Sequence, residues 1–381
     1  MNPADRELFD ISSDVTYLNT ANIGPRLKAV SEAGRNAIER FASPWQITAK
    51  DWFNGPEILR NKIASFIGAE FDSIALVPSV SYGIAIAAKN IPVSANTNIV
   101  VVEDQYPSNI YAWKRKAQES SAQIRVAKRF ATRTLTESVL SLIDSDTAIV
   151  TIPNCHWTDG ELLDISAIGD AVKTYNTALV IDASQSLGAL PINLEETKPD
   201  FVVSVGYKWL LGPYGLGYLY VDKKWHTDGV PLEESWLSRL GSHDFSKLVN
   251  YVDEYRVGAR RFDFGEFPQF ISVPMAIAAI SQLNKWGNSY IQTELSNRTK
   301  EIRNICELFD LETLPVERSA NHLIGFKLPK RQDSNKLINA LNSANIFVSA
   351  RGEKIRVAPH LHTNANDLDR FRAVLEMWMG Q

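Results

Sequence analysis

Short apolar runs, many of them rich in β-branched residues, alternate with amphipathic stretches through the middle of the chain. Such runs predict seven strands, at residues 73–77, 98–102, 123–127, 147–152, 178–181, 201–204 and 217–221. Helical spacing between them predicts helices at residues 81–89, 107–119, 135–143 and 165–175. Several strands are apolar without alternation, as expected when helices cover both faces of a mostly parallel sheet. The pattern therefore predicts an α/β domain around a seven-stranded sheet.

The pattern changes after Arg261. Two long helices, a strand, a helix, two strands and a last helix are predicted, at residues 271–286, 288–308, 323–327, 334–343, 346–349, 354–357 and 366–379. A chain of 381 residues is also too long for a single compact core. We therefore expect a large α/β domain at residues 20–264 and a smaller α+β domain formed by residues 1–19 and 265–381.

The composition excludes several classes of protein. With 45% hydrophobic residues, 22% charged residues and a net charge of −4, the chain is typical of a globular enzyme and unsuited to general nucleic-acid or anionic-membrane binding. We expect no signal peptide and no membrane-spanning helix. Cys155 and Cys306 are far apart, which favours a cytoplasmic protein without disulfides. The pair His360 and His362 has no third ligand at a suitable spacing, so no metal site is expected.

Three segments place polar groups where the strands end, which is where open α/β sheets bind ligands. Asp182 ends an apolar strand, where its carboxylate needs a cationic or hydrogen-bonding partner. A helix N-cap or a metal ligand is the alternative interpretation of this residue. Lys208 lies between an apolar strand and a Gly/Pro-rich turn, where partial burial would lower its pKa and free a nucleophilic amine. Residues 79–81 begin a helix whose N–H groups suit a phosphate, although serine capping alone would also explain them.

The three segments together match the needs of pyridoxal 5'-phosphate. The carboxylate would keep the pyridine nitrogen protonated, so that the ring withdraws electrons, and the helix start would hold the phosphate. The lysine would bind the aldehyde as a Schiff base and later transfer protons. The combination is much more specific than any one of its parts.

The chain resembles the class V aminotransferases, which include cysteine desulfurases, isopenicillin N epimerase-like proteins and kynureninase. The most specific matches are IDASQS at residues 181–186 and YKWLLGP at residues 207–213. The resemblance extends from LNTANIGP at residues 18–25 to IRVAPH at residues 355–360. It implies the fold type I of pyridoxal-phosphate transferases, a small-molecule amino-acid substrate, and a homodimer with active sites at the subunit interface.

The resemblance also implies roles for individual residues. Lys208 would carry the cofactor, Asp182 would pair with its pyridine nitrogen, and Gln185 would hydrogen-bond its phenolic oxygen. The phosphate would be held largely by the backbone N–H groups of three consecutive residues, Ser79, Val80 and Ser81.

Four further residues would complete the site. Tyr106 falls where the family places an aromatic ring or a histidine against the cofactor, although a packed loop tyrosine is the alternative. Trp157 replaces an asparagine of the desulfurases, and its indole N–H would contact the phenolic oxygen. Arg356 matches the arginine that binds the substrate α-carboxylate, or else it is a surface residue at a strand end. Asn22 would help to line the substrate pocket.

Two departures from the family bear on the reaction. Residues 347–354, where desulfurases carry a nucleophilic cysteine on a mobile loop, contain none, so desulfuration by the usual route is disfavoured. Glu266 replaces a threonine that contacts the partner's phosphate in many relatives. Because a carboxylate would repel a phosphate, we expect Glu266 to turn toward Arg260 or Arg261, or another residue to make the contact.

The predicted function is that of a pyridoxal-phosphate enzyme acting on an amino acid, with transamination as the first hypothesis. Epimerisation and β-elimination, as in selenocysteine- or cysteine-derivative lyases, are the alternatives. A non-catalytic binding protein of the same fold is a third hypothesis, which the presence of Asp182, Gln185 and Lys208 disfavours.

Overall fold

The structure is a computed structural model that describes residues 3–329 and 332–380. Its helices are α1 (Pro3–Arg6), α2 (Lys28–Phe41), α3 (Ala49–Ile67), α4 (Val80–Asn90), α5 (Tyr111–Ser120), α6 (Leu135–Leu140), α7 (Ile165–Thr174), α8 (Leu194–Thr197), α9 (Ser272–Trp286), α10 (Asn288–Leu308), α11 (Ser334–Ser343) and α12 (Ala365–Met379). Its strands are β1 (Thr16–Tyr17), β2 (Ile74–Val77), β3 (Asn98–Val102), β4 (Gln123–Ala127), β5 (Thr147–Pro153), β6 (Ala178–Asp182), β7 (Phe201–Val205), β8 (Gly217–Val221), β9 (Glu312–Thr313), β10 (Ile324–Lys327), β11 (Ile346–Phe347), β12 (Ser349–Arg351) and β13 (Lys354–Val357).

The central sheet has seven strands in the order β2-β8-β7-β6-β5-β3-β4. Strand β8 is antiparallel to both of its neighbours, and the other four pairings are parallel. The predicted α/β fold with a mostly parallel seven-stranded sheet is therefore confirmed. Each predicted strand is present to within one residue at either end, because its apolar run is bounded by polar or turn-forming residues.

Both faces of this sheet are buried, as the unbroken apolar runs predicted. Leu179 and Ile181 of β6 belong to a core shared with α2, α3 and α9. Val180, between them, faces the opposite core, where Ile84 of α4 and Trp113 of α5 pack. Because neighbouring residues of a strand point to opposite faces, a strand buried on both sides must be apolar at every position.

Helices α2 and α3 were not predicted, although only α3 has an unfavourable local sequence. Gly55 and Pro56 lie inside α3, where both residues disfavour a helix locally. Gly34 of α2 packs against the sulfur of Met275 on α9, which a Cβ would approach to 3.0 Å. The amphipathic spacing of α2 was a signal from which this helix could have been predicted.

A second, antiparallel sheet has the order β12-β13-β10-β9. Its core contains Phe326, Ile355 and Phe371, and Leu18 joins it from the N-terminal segment. The predicted strand at residues 346–349 is divided, since β11 pairs with β1 while β12 pairs with β13. The domain boundaries at residues 20 and 265 stay a prediction, because α9 packs into the core of the large sheet while the end of α10 packs on the small one.

No helix within residues 3–329 and 332–380 is both long enough and apolar enough to cross a lipid bilayer.

A buried ion pair joins α3 to the segment that follows the central sheet. The guanidinium of Arg60 donates to both carboxylate oxygens of Asp263, at 3.2 and 2.8 Å. The backbone N–H of Leu76 donates to the same carboxylate at 2.7 Å. Both charged side chains are almost inaccessible to solvent, at 0% and 1% exposure.

We expect Asp263→Asn to lower the free energy of unfolding by about 3–5 kcal/mol, because the buried Arg60 would lose its two-point carboxylate partner and keep only Glu57, whose carboxylate oxygen is 3.5 Å away. Chemical denaturation followed by circular dichroism measures the change. The control Asp369→Asn removes a pair with Arg372 that is exposed on both sides, and should leave the midpoint nearly unchanged. Equal effects of the two variants would contradict a structural role for the buried pair.

Candidate active site

A cavity of about 280 Å³ lies where the parallel strands of the central sheet end. Pro153, Asp182 and Val205, the last residues of β5, β6 and β7, reach its wall. The structure brings eight of the ten predicted site residues to this cavity, namely Ser79, Val80, Ser81, Tyr106, Trp157, Asp182, Gln185 and Lys208. Segments that are far apart in the chain meet here because parallel strands present their carboxyl ends at one edge of the sheet.

The buried amine of Lys208 and the buried carboxyl of Asp182 face the same cavity. Burial lowers the pKa of Lys208 to about 8, against the opposing attraction of Asp182, and the positive charges of Arg356 and Arg351 lower it further. Burial raises the pKa of Asp182, whereas hydrogen bonds from Ser184 and the charge of Lys208 act in the opposite direction. The site therefore holds an amine that is readily uncharged beside a carboxyl that needs a cationic partner.

Backbone contacts fix the turn that carries Lys208. The N–H of Leu211 donates to the carbonyl of Lys208 at 3.1 Å, and Leu211 adopts a left-handed conformation with φ of 55°. Gly24, from the N-terminal segment, donates its N–H to the carbonyl of Tyr207 at 2.7 Å. A Cβ on Gly24 would lie 2.1 Å from the Lys208 carbonyl oxygen, so only glycine allows this approach.

The predicted phosphate-binding turn caps a helix, and the two interpretations of residues 79–81 are compatible. Ser79 is the N-cap of α4, and its Oγ accepts a hydrogen bond from the N–H of Tyr82 at 3.2 Å. The hydroxyl groups of Ser79 and Ser81 lie 2.9 Å apart. The N–H groups at the start of a helix have no acceptor within it and, with the helix dipole, attract an anion.

Gln185 is already engaged at both ends of its amide. Its Oε1 accepts from the indole N–H of Trp209 at 3.1 Å, and its Nε2 donates to the carbonyl of Ala21 at 2.9 Å. An amide nitrogen carries two hydrogens, so one remains to contact a ligand in the cavity.

Tyr106 and Trp157 form one wall of the cavity. Their rings meet edge to face, with centroids 5.4 Å apart, and the Nζ of Lys208 lies 5.3 Å from the Tyr106 ring. The indole N–H of Trp157 donates to the carbonyl of Asp104 at 2.7 Å. An indole has only one N–H, so this bond competes with the contact to the phenolic oxygen, which stays a prediction, while the ring of Trp157 lines the cavity.

Arg356 and Asn22 are not among the residues that line the cavity. Arg356 is nevertheless buried, which argues against a surface residue, and its Nη1 donates to the carbonyl of Trp157 at 2.8 Å. Its Nε and Nη2 are buried without a hydrogen-bond partner in the part of the chain that the structure describes. Asn22 is exposed, and its Oδ1 lies 3.5 Å from the Nη2 of Arg351.

Of the two expectations for Glu266, the structure does not support the turn toward Arg260 or Arg261, and the contact by another residue stays a prediction. Arg260 pairs with Glu57 at 2.7 Å and with Asp72 at 2.6 Å. Arg261 donates to backbone carbonyls at Thr227 and Gly229. Both guanidinium groups are thus engaged elsewhere, and Glu266 is exposed.

An ionic cluster holds the loop that carries Trp157. The carboxylate of Asp159 accepts from Arg129 at 2.5 Å and also pairs with Lys354 of β13. Burial opposes its ionisation, yet the charges of Arg129 and Lys354 lower the pKa of Asp159 to about 2. Gly325 makes room for this contact, because a Cβ there would lie 2.5 Å from the Cβ of Asp159. The small sheet is thereby tied to the wall of the cavity.

Sequence reasoning missed several residues of the cavity, including Tyr207, Tyr214, Ser108 and Ser184. Tyr207 could have been found, since it precedes Lys208 within the motif at residues 207–213, and Tyr214 directly follows that motif. Ser108 lies in a short turn with no such signal. Cys155 also lines the cavity. Burial raises the pKa of the Cys155 thiol, so this cysteine is poorly suited to act as a nucleophile.

Comparisons with known proteins agree with this geometry. The profile of the family described as "Aminotransferase class-V" matches residues 46–375. An uncharacterized aminotransferase, YcbU of Bacillus subtilis, is 26% identical over 366 residues, covering 95% of this chain and 94% of YcbU. A kynureninase of Shouchella clausii is 22% identical over 375 residues, covering 93% and 86% of the two chains. The apo structure of a cysteine desulfurase from Thermococcus onnurineus superimposes with a TM-score of 0.86 at 18% identity, covering 100% of this chain and 99% of the other.

The chain belongs to the class-V aminotransferase family, and it has the fold type I of pyridoxal-phosphate enzymes. The cofactor implied by the family is pyridoxal 5'-phosphate. The residues present fit this group, since one cavity offers an amine for its aldehyde, a carboxyl for its ring nitrogen and a helix start for its phosphate.

In the protein free of cofactor, we expect Lys208 to react with an amine reagent at a rate that rises with pH and has a midpoint near 8. Competitive labelling with acetic anhydride, followed by peptide mass spectrometry, measures this midpoint. A short peptide of the same sequence is the reference, with a midpoint near 10.4. Because the charge of Asp182 raises the pKa of Lys208, Asp182→Asn should move the midpoint to lower pH. A midpoint equal to that of the peptide would contradict the burial of the amine.

Proposed function

We propose that this protein transaminates an amino acid, with pyridoxal phosphate held on Lys208. The observation that carries the proposal is the shared cavity of Lys208 and Asp182, in which burial lowers the pKa of the amine. When bound, the cofactor supplies an aldehyde that captures an amino group and a protonated ring that withdraws electrons from the substrate Cα. The fold-level likeness to other enzymes does not decide between reactions on that carbon.

The protein groups around the cavity each have a role in this proposal. The carboxylate of Asp182 would pair with the ring nitrogen and keep it protonated. The N–H groups of Val80 and Ser81, with the hydroxyl of Ser79, would hold the phosphate. With its Nζ free of the cofactor, Lys208 would remove the proton from the substrate Cα and hold it for return.

Two further contacts orient the substrate and shield the site. The unpartnered Nε and Nη2 of Arg356 suit a bidentate bond to the α-carboxylate. The rings of Tyr106 and Trp157 cover one side of the cavity and exclude water from it.

Epimerisation and β-elimination remain the alternatives, because they begin with the same proton removal. A desulfurase of the usual kind is disfavoured, since both cysteines are buried and burial raises the pKa of the Cys306 thiol as well as that of Cys155. Two free thiols are also consistent with a reducing compartment, so we propose a cytoplasmic location.

We expect the purified protein with added cofactor to absorb visible light, and borohydride to attach the cofactor irreversibly to Lys208. Lys208→Ala should abolish this attachment. Asp182→Asn should still bind the cofactor but convert amino acids at least about 100-fold more slowly, because the ring loses its charged partner. Stopped-flow absorbance and peptide mass spectrometry provide the readouts.

Product analysis over an amino-acid panel then identifies the reaction. In transamination, one equivalent of keto acid forms per site in the absence of an acceptor, and added keto acid restores the original spectrum. Racemised amino acid, or keto acid with free ammonia, would reject transamination in favour of epimerisation or elimination. A protein that neither absorbs visible light nor binds added cofactor would contradict the whole proposal.

We also propose that the protein is a homodimer and that its second subunit borders the active site. An apolar depression of about 300 Å³ is lined by Phe41, Tyr214, Phe270 and Ile271, among others. Tyr214, which is 73% exposed, lines the active-site cavity as well, so this surface extends to the edge of the site. Exposed apolar surface of this kind commonly marks a protein–protein contact.

We expect sedimentation equilibrium to give the mass of a dimer, and Phe41→Asp to shift it toward the monomer, because a charge would be buried in the contact. The control Val316→Asp changes an apolar residue that is 63% exposed and lies outside this surface, and should leave the dimer intact. A wild-type monomer, or equal dissociation of both variants, would argue against the proposed contact.

A further inference from the structure

Three cationic side chains of β12 and β13 lie on one face of the small sheet. Strand β12 pairs with β13 so that Ser349 lies opposite Arg356 and Arg351 lies opposite Lys354. Residues opposite one another in a sheet share a face, as do residues two apart along a strand. Arg351, Lys354 and Arg356 therefore all project from the same side, the side on which the loop carrying Trp157 packs.

Only one of these three cations has a carboxylate partner. Lys354 pairs with Asp159. Within residues 3–329 and 332–380, neither Arg351 nor Arg356 forms an ion pair with a carboxylate. The nearest acidic residue in sequence, Glu353, has a side chain that is 89% exposed and lies 4.0 Å from Lys327 instead.

The two unpaired arginines are close to one another and to the cavity. The guanidinium carbon of Arg351 lies 5.8 Å from the ring of Trp157, a residue of the cavity wall. Its positive charge lowers the pKa of both Lys208 and Arg356. Arg351 also lines a groove of about 830 Å³ that adjoins the cavity and shares Gln105 and Trp157 with it.

Two neighbouring guanidinium groups without counter-ions are costly, because each is partly or fully desolvated and they repel each other. Burial and the charge of Arg351 together lower the pKa of Arg356 to about 9. The bonds that Arg351 does make, to the carbonyl of Ala350 at 2.7 Å and to Asn22 at 3.5 Å, leave most of its donors free. An α-carboxylate would neutralise one of the two charges and leave the other uncompensated.

We propose that Arg351, assisted by Asn22, determines specificity by binding a second anionic group on the substrate side chain. The preferred substrates would then be amino acids with an acidic side chain, either a carboxylate or a sulfinate. This inference rests on the proposed function in one respect, since it assigns the α-carboxylate to Arg356. Arg351 and Arg356 occupy diagonal positions on paired strands, about 7–8 Å apart, from which two long side chains can reach the two acidic groups of one small dianion.

The rival interpretation is that both arginines bind the same α-carboxylate. It predicts that removing Arg351 weakens the binding of all amino acids equally. Our proposal predicts that only the binding of acidic amino acids is weakened. The two can be separated with ligand pairs of the same length that differ only in the distal group.

The test is isothermal titration calorimetry of the cofactor-loaded protein with ligands that lack an amine and so cannot react. Glutarate carries two carboxylates, and glutaramate replaces one of them by an amide of the same size. We expect wild-type protein to bind glutarate at least tenfold more tightly than glutaramate, because a charge-assisted bond to Arg351 is lost with the amide. We expect Arg351→Gln to abolish this preference while changing glutaramate binding less than about twofold.

Matched variants guard against a general effect of the substitution. Arg351→Lys keeps the charge and should retain part of the preference, even if Arg351→Gln proves unstable. Arg115→Gln removes an arginine that is 74% exposed on α5 and should leave both affinities unchanged. A sulfinate of similar length, 3-sulfinopropionate, is compared with succinate, and the tighter ligand identifies the acidic group.

Three results would overturn the proposal. The wild type could bind glutarate and glutaramate equally well, or Arg351→Gln could lower the affinity for both ligands equally. The third is that Arg351→Gln prefers glutarate as strongly as the wild type does. The proposed function is tested separately. The visible spectrum, recorded during titration with aspartate, glutamate and their amides, shows whether these amino acids react. Reaction without acid preference would reject the role of Arg351 alone. A preserved preference without any reaction would reject the proposed function alone.

Discussion

The attraction between a buried carboxyl and a buried amine is the constraint on which the candidate site depends. Asp182 and Lys208 are both costly to bury in charged form, and each is partly stabilised by the other. A ring with a basic nitrogen at one end and an aldehyde at the other would relieve both costs together. The central sheet makes this possible, because the strands that end in Asp182 and lead to Lys208 are adjacent and parallel.

The small sheet acts on the same site through charge. Asp159 neutralises Lys354 and ties β13 to the loop that holds Trp157, while Arg356 donates to the carbonyl of that tryptophan. The remaining positive charge, on Arg351 and Arg356, favours the uncharged form of Lys208. Groups suited to binding an anionic substrate therefore also help to keep the amine reactive, so substrate affinity and amine reactivity are physically coupled.

Much of the fold was predictable because its local and global preferences agree. The seven strands of the large sheet and helices such as α10 and α11 combine strong periodicity with clear ends. Helix α3 was not predicted because Gly55 and Pro56 disfavour a helix locally, whereas the amphipathic spacing of α2 was a signal that could have predicted it. Similarly, the division of residues 346–349 between two sheets depends on β1 and β13, which are distant in sequence.

The sequence by itself determined the chemistry-bearing residues that sit in recognisable motifs, from the turn at Ser79 to Asp182 and Lys208. Their residue types are set by local demands, such as a strand end, a helix start or a glycine-rich turn, and these can be read along the chain. Only the tertiary structure showed that the single N–H of Trp157 donates to the carbonyl of Asp104. It also showed that Arg260 and Arg261 have partners other than Glu266. Only the tertiary structure placed Arg351 and Arg356 on one face of the small sheet without carboxylate partners among the described residues, because hydrogen bonds and charge balance depend on neighbours supplied by distant parts of the chain.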